Sequence, residues 1–244
     1  MISKNEVKYI RSLGQQKGTT DNQSFLVEGA KIVIEMMLTC PSHIEKIYAT
    51  LPFIESNLNL IRGISVVEVD QSMLTRLSQM HAPNQALAVM KKFIFTLPDY
   101  NSKEWILLLD GIQDPGNMGT IIREADWFGV NHILCTNDCV DPYNRKAVQA
   151  SMGSLSRVGV HKVELTDWIQ YYKGPVLGTT LDGQYINNYP FPSYGIIVIG
   201  REGSGIRPET QNFITQTISI PSFGQAESLN AAIATGIVLW EIRR

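Results

Sequence analysis

Through the N-terminal part of the chain, short apolar runs alternate with stretches of helical spacing: "FLVEG", "AKIVIEMMLT", "IEKIYAT", "ISVVEV" and "ALAVMKKFIF". Alternation of this kind predicts a small α/β unit. The stretch "TLPDYNSKEW", with Pro98, Asp99, Asn101 and Ser102, is rich in turn formers and marks a linker, giving domains at 1–97 and 104–244. Beyond it, "WILLLD" (105–110), "HILCT" (132–136), "PVLGTTL" (175–181), "GIIVIG" (195–200) and "TISIP" (217–221) are apolar throughout rather than alternating. Parallel strands covered by helices on both faces have that character. Between them "GTIIREADWFG" reads as a helix with Ile121, Ala125 and Phe128 on one face and Gly129 as its stop. The last segment, "AESLNAAIATGIVLWEIRR", reads as a closing helix.

A chain of 244 residues, 44% hydrophobic and 18% charged, has the make-up of a globular protein with real cores, which excludes the disordered and fibrous classes. Its apolar runs are too short to span a membrane, and "MISKNEVKYIRSLGQQKG" lacks the apolar core of a signal peptide, so a cytoplasmic protein is expected. Cys40, Cys135 and Cys139 form no CxxC pair, and His43, His81, His132 and His161 have no HxxxH spacing; no metal is expected. The net charge of −2 gives no bulk support for nucleic-acid binding. Locally, however, Lys4, Lys8 and Arg11 recur at helical spacing with Val7 and Ile10 on another side, and Arg145, Lys146, Arg157 and Lys162 form a second basic region.

Three turns carry the candidate chemistry. In "LLLDGIQDPGNMGTIIREAD" a buried strand ends at Asp110 and a helix is expected to start near Met118 or Gly119, with Arg123 in its first turns. Free N–H groups and an arginine there suit a phosphate-bearing substrate; the plainer role of Asn117 is a helix cap. In "IIVIGREGSGIRPE", Gly200, Gly203 and Gly205 permit close backbone approach, yet the spacing is neither GxGxxG nor GxxxxGK. Glu202 in this loop would repel a polyphosphate but favour a cationic ligand or orient an arginine. In "ISIPSFGQAESLNAA" a third strand leads through a turn to a helix entered at Ser228 and Asn230, where Ser228 is a candidate cap. Strand ends of a parallel sheet converge at one edge, where open α/β folds bind ligands.

"LDGIQDPGNMGTIIREADWFGV", "IVIGREGSGI" and "ISIPSFGQAESLNAAIATGIVLWE" resemble, in order and spacing, the three motifs of the SpoU (TrmH) family of RNA ribose 2′-O-methyltransferases, of the SPOUT class. The resemblance covers about residues 105 to 241 and implies a trefoil-knotted α/β domain. "FLVEGAKIVIEMML" looks like the start of the small substrate-binding domain often found before it. The resemblance implies S-adenosylmethionine held near Gly200, Ile220 and Leu229, with Thr179 nearby. Asn117 and Arg123 would face the target ribose and phosphate, Glu202 would support the pocket, and Ser228 and Asn230 would complete it. A homodimer through the knot region is also implied, and the added N-terminal domain favours ribosomal over transfer RNA.

Several positions depart from the family's pattern. Glu124 follows the arginine where a small or hydroxyl residue is common, and Ser228-Leu229-Asn230-Ala231-Ala232 replaces SLNVS. Near the N-terminus Lys17-Gly18-Thr19 stands for K-x-R, and Pro83-Asn84-Gln85-Ala86 for P-Q-G. A transfer-RNA enzyme and a non-catalytic RNA-binding factor on the same fold are the alternative readings. An NAD-dependent Rossmann enzyme lacks its early glycine fingerprint.

Overall fold

The computed structural model describes residues 2–14, 23–80 and 84–244. Lys17, Gly18, Thr19, His81 and Pro83 lie outside the described residues. In chain order the elements are α1 (Lys4–Leu13), β1 (Ser24–Glu28), α2 (Ala30–Thr39), β2 (Ile44–Ala49), α3 (Leu51–Ser56), β3 (Val66–Glu68), α4 (Gln71–Leu77) and β4 (Ala86–Lys91). Then follow β5 (Trp105–Leu109), α5 (Pro115–Trp127), β6 (His132–Cys135), α6 (Arg145–Ser151), β7 (Gly159–Lys162) and α7 (Leu165–Ile169). The chain closes with β8 (Val176–Tyr185), β9 (Gly195–Ile199), α8 (Pro208–Gln211), β10 (Gln216–Ser219) and α9 (Ala231–Arg243). They form two compact units: Met1–Ile94 with Asp141–Ser156, and Phe95–Val140 with Arg157–Arg244. The 141–156 segment, which the linear domain reading put in the second domain, thus packs with the first unit.

In the first unit, four strands pair in the order β1-β4-β2-β3, antiparallel except for β2 with β3. Every residue of β1 is buried, Glu28 included. Burial pushes the Glu28 carboxyl above its ordinary value, against hydrogen bonds from the Gln79 N–H and the Ser78 hydroxyl and the nearby Arg145. Arg145 stands 3.8 Å from it, at the start of α6. Helix α1 is capped by the Ser3 hydroxyl, which accepts from the Glu6 N–H at 3.1 Å. Its Ile10 and Leu13 are buried with Leu26, Tyr48, Leu74 and Leu87, while Lys4, Lys8 and Arg11 are exposed. The one acid of α1, Glu6, accepts from Tyr48 Oη (2.6 Å) and Lys46 Nζ (2.9 Å). Those two bonds, outweighing the effect of burial, hold it below the usual carboxylate range.

The second unit is built on a six-stranded, wholly parallel sheet in the order β10-β8-β9-β5-β6-β7. Strands β5 and β9 are buried along their length, as continuous apolar runs require. One core cluster joins Ile106, Leu108, Leu134, Ile196 and Val198 to Trp168 and Tyr172. Strand β7 was not foreseen: "GVHK" is a four-residue edge strand with a single fully buried position. Pairing of β10 with β8 jumps from Thr217↔Gly178 to Ile218↔Gln184, so residues 179–183 leave the ladder between those registers. The Ser219 hydroxyl pins this excursion by donating to the Leu181 carbonyl at 3.0 Å. Among the described residues no helix is long and apolar enough to cross a membrane.

Much of the second basic region is committed to the fold. Arg157 pairs with Asp126 at 2.8 Å, and Lys162 Nζ donates to the carbonyls of Cys139 (2.9 Å) and Asn137 (3.3 Å). With Arg145 beside Glu28, the free cations expected there are reduced. Cys135 and Cys139 are buried and Cys40 is partly so, and none of the three is in a disulfide.

Candidate active site

Because the large sheet is parallel, the segments that follow β5, β8, β9 and β10 leave it at one edge, from four neighbouring strands. After β5 the chain turns through Gly111 (φ +77°) and enters α5 at Pro115, with Asp114 as the cap. The Asp114 carboxylate accepts from the Asn117 N–H at 2.9 Å, and the proline at the first helical position has no N–H to lose. The helix therefore starts earlier than Met118, and the Asn117 side chain, offered as the cap by the sequence reading, is released for another contact.

That contact is Glu202. Asn117 Nδ2 donates to Glu202 Oε1 at 2.5 Å, and Asn230 Nδ2 donates to both Glu202 Oε1 (2.9 Å) and Asn117 Oδ1 (2.9 Å). The Ala231 N–H adds a longer bond to the same Oε1 at 3.4 Å. Asn230 also caps α9, its Oδ1 accepting from the N–H groups of Ala232 (3.0 Å) and Ile233 (3.3 Å). The expected cap, Ser228, is exposed and lies two residues too early, because Asn230 reaches the free N–H groups itself. Residues 226–230, expected to be helical, are irregular and exposed. One carboxylate oxygen thus joins the start of α5, the loop after β9 and the start of α9.

Arg123 lies farther along α5 and is exposed; among the described residues it makes no ion pair or hydrogen bond. Its neighbour Glu124 is half-buried against α9, with Oε2 lacking a hydrogen-bond partner among the described residues, and burial pushes its carboxyl up to about 7. Gly200 follows β9 directly, and a Cβ there would run into the Gly205–Ile206 peptide, so the loop can fold back only on glycine. The fold-back is an Arg201↔Gly205 bridge, with Gly203 and Gly205 at φ +83° and +69°. Thr179 Oγ1 donates to the Val198 carbonyl at 2.9 Å, which turns it toward β9. Ile220 is half-buried past the end of β10, and Leu229 is 46% exposed.

Asn117, Glu202 and Asn230 are therefore brought together, while the side chains of Arg123, Ser228 and Leu229 stand uncommitted among the described residues. Sequence reading missed Asp114, although an aspartate before a proline at a helix start is a visible signal. It also missed Arg201 and Arg207 at the feet of the 200–207 loop, whose acidic partners are remote in sequence.

The residues fit a flat, cationic cofactor such as S-adenosylmethionine. Among the described residues every hydrogen bond to Glu202 falls on Oε1, so the charge on Oε2 is not answered by a hydrogen bond there, which suits a cationic ligand. Ideal Cβ atoms at Gly203, Gly205 and Gly224 meet nothing within 4 Å, so backbone is open to a ligand at these turns. Among the described residues no three His, Cys, Asp or Glu side chains group as a metal site would require.

Comparison with known proteins bears on these features. Residues 104–240 match the model of the SpoU rRNA Methylase family, and residues 4–88 that of the MRM3-like substrate binding domain. The chain is 28% identical over 246 residues to the 23S rRNA (guanosine(2553)-2'-O)-methyltransferase RlmP of Bacillus subtilis, covering 98% of this chain and 96% of that one. It is 30% identical over 196 residues to the 23S rRNA (guanosine-2'-O-)-methyltransferase RlmB of Acinetobacter baylyi, covering 75% and 79%. The AdoMet-bound rRNA methyltransferase from Sinorhizobium meliloti superposes with a TM-score of 0.84 at 28% identity, over 100% of this chain and 96% of that one. With its three motif segments meeting at one carboxylate and the family's domain spanning residues 104–240, the chain belongs to the SpoU rRNA methylase family.

Proposed function

We propose that this protein transfers a methyl group from S-adenosylmethionine to a ribose 2′-hydroxyl of ribosomal RNA in the cytoplasm. The observation that carries the reading is the Asn117–Glu202–Asn230 cluster, which ties three strand-end segments together on the helix that bears an uncommitted Arg123. When bound, S-adenosylmethionine supplies an electrophilic methyl on a sulfonium centre. Backbone around Gly200, Ile220 and Leu229 would hold it, with Thr179 close by. Arg123 acts as a fixed cation for the developing alkoxide and the neighbouring phosphate, since a guanidinium in a protein does not give up its proton. Glu202 keeps Asn117 and Asn230 in place, and the free hydroxyl of Ser228 completes the pocket. The RNA and cofactor named for the relatives above support this assignment.

In this reading residues 1–97 bind RNA, and 104–244 form the methyltransferase domain with its C-terminal helix threaded in a trefoil knot. Lys4, Lys8 and Arg11 on α1 meet RNA phosphates, because the only acid of that helix is already engaged by Lys46 and Tyr48. A second copy of the chain covers the α9 stripe of Ile233, Ile237 and Trp240, which are 53%, 37% and 60% exposed at i, i+4 and i+7.

The test is methyl transfer from isotope-labelled S-adenosylmethionine to unmodified ribosomal and transfer RNA pools, read by mass spectrometry of nucleosides, with Arg123→Ala as control. Label is expected in a 2′-O-methylnucleoside of ribosomal RNA and is lost in the variant. Label on a base, or only in transfer RNA, would overturn the assignment.

A further inference from the structure

The loop of residues 200–207 carries Glu202 at its tip, and both of its feet are tied to the turn that follows β5. At one foot Arg207 holds Asp110, which is fully buried: the Arg207 N–H donates to Oδ2 at 2.9 Å, and Nε to Oδ1 at 2.6 Å. Its Nη2 closes a second bond to Oδ1 at 2.5 Å. At the other foot Arg201 Nη2 pairs with Asp138 Oδ2 at 2.6 Å, and Nε donates to the Gly111 carbonyl at 3.3 Å. A side chain at position 111 would collide with this guanidinium, since an ideal Cβ falls 2.8 Å from Arg201 Nη2. Asp138 links the two feet, with its Oδ1 3.5 Å from Arg207 Nη2. The Thr136 hydroxyl bonds the same Oδ1 at 2.7 Å and accepts from the Gly111 N–H at 3.0 Å. Burial acts to raise the Asp138 carboxyl, but Thr136 and the two arginines outweigh it and hold it below its ordinary value.

Asp110 is inaccessible and cannot touch a substrate. Breaking a pair with one fully buried partner is costly, so a frame of this kind is rigid. The tip between the feet is where Glu202 accepts from Asn117 and Asn230. Asp110 also lies at the root of the turn leading to α5, so the frame sets the spacing between the Glu202 loop and the helix bearing Asn117.

We propose that Asp110 and Arg207, braced by Asp138 and Arg201, are positioning residues that set the Glu202 loop for cofactor binding. The frame acts through Glu202: without it the loop's backbone stays attached to β9 but loses its fixed height over Asn117. The inference rests on the reading of this loop as the S-adenosylmethionine site.

The experiment measures the Kd for S-adenosylmethionine by titration calorimetry, KM for RNA and kcat, in the full chain with Arg207→Ala, Arg207→Lys, Glu202→Gln and the double variant Arg207→Ala/Glu202→Gln. Thermal melts identify the variants that fold. Arg207→Ala is expected to raise the cofactor Kd about tenfold or more, the scale of lost hydrogen bonds to a charged group. RNA KM should change little, Arg207→Lys should recover part of the loss, and Arg207→Ala should add nothing once Glu202→Gln is present. A folded Arg207→Ala with wild-type cofactor Kd and only a lower melting temperature would overturn the inference. So would a rise confined to RNA KM, which would make Arg207 an RNA-binding residue. Additive losses in the double variant would likewise break the link to Glu202. If Arg207→Ala does not fold, the same comparison with Arg207→Lys decides. Absence of S-adenosylmethionine binding by the wild-type chain would instead sink the cofactor reading.

Discussion

The Glu124 carboxylate of α5 lies directly against Gly236 of α9: a Cβ built at 236 would stand 2.9 Å from Oε1. The other oxygen, Oε2, is buried without a hydrogen-bond partner among the described residues. The helix that bears Arg123 is thus packed to the C-terminal helix through a carboxyl that burial favours in its neutral form.

This packing gives stability a defined pH dependence. Burial raises the folded Glu124 value to about 7 from an ordinary 4.5, so between those values the folded chain holds a proton that the unfolded chain has released. The site's stabilisation is whole below the lower value and is lost as pH rises through the upper one. Glu124→Gln should remove this loss, gaining on the order of 2 kcal/mol relative to wild type between pH 5 and 8.5. Thermal melts across that range check it; parallel curves for the two proteins would refute it.

A second pair acts on the acid side. His132 Nδ1 and His161 Nε2 are 3.4 Å apart on adjacent strands β6 and β7. Burial lowers both, opposed at His132 by Glu104 and reinforced at His161 by His132. The unfolded chain then binds the extra protons, so stability falls as pH drops through the ordinary value of 6.5 and below. His161→Gln should flatten that fall toward low pH while leaving the opposite, Glu124-dependent slope between 4.5 and about 7 unchanged, and the same melts check it.

Asn230 both caps α9 and donates to Glu202, and two substitutions separate these roles. Asn230→Asp keeps a capping oxygen but sets a carboxylate against Glu202, so turnover should fall at least tenfold with melting nearly preserved. Asn230→Ala loses both, adding about 1 kcal/mol of lost stability. Equal turnover in Asn230→Asp and wild type would show that the donor is dispensable.

If α1 meets RNA phosphates, replacing Lys4, Lys8 and Arg11 together by alanine should raise the RNA KM and leave the cofactor Kd unchanged. The slope of log K against log salt should become shallower by roughly 0.7 to 0.9 for each phosphate that is no longer neutralised. An unaltered slope would mean that these cations are only a solvated face.

The α9 stripe has its own test. Ile237→Glu places a charge in the centre of Ile233, Ile237 and Trp240, and should convert a dimer to a monomer in sedimentation with little change in the far-ultraviolet spectrum. A wild-type chain already monomeric at micromolar concentration would remove this interface.

Much of the architecture is legible along the chain because its cause is local. The apolar runs of β5 and β9 signal burial on both faces, and Gly129, at φ +67°, ends α5 as a left-handed stop. The sequence by itself also determined which glycines, acids and amides belong to the strand-end segments, and through them the family resemblance. It left β7 unmarked, since a short edge strand carries too few buried positions to show a period.

Tertiary structure decided the partners. Asn117 and Glu202 are 85 residues apart, and Arg207 and Asp110 are 97 apart; no spacing rule joins them. Only the strand order, which sets β9 beside β5, brings those segments together. It likewise decided that Asp114 rather than Asn117 caps α5, leaving one amide free for Glu202. Arg157 and Lys162, cations in the sequence, are spent on internal bonds in the fold, whereas Arg123 makes no ion pair or hydrogen bond among the described residues. Local periodicity reports burial, but which polar group answers another depends on distances that exist only once the sheet has formed.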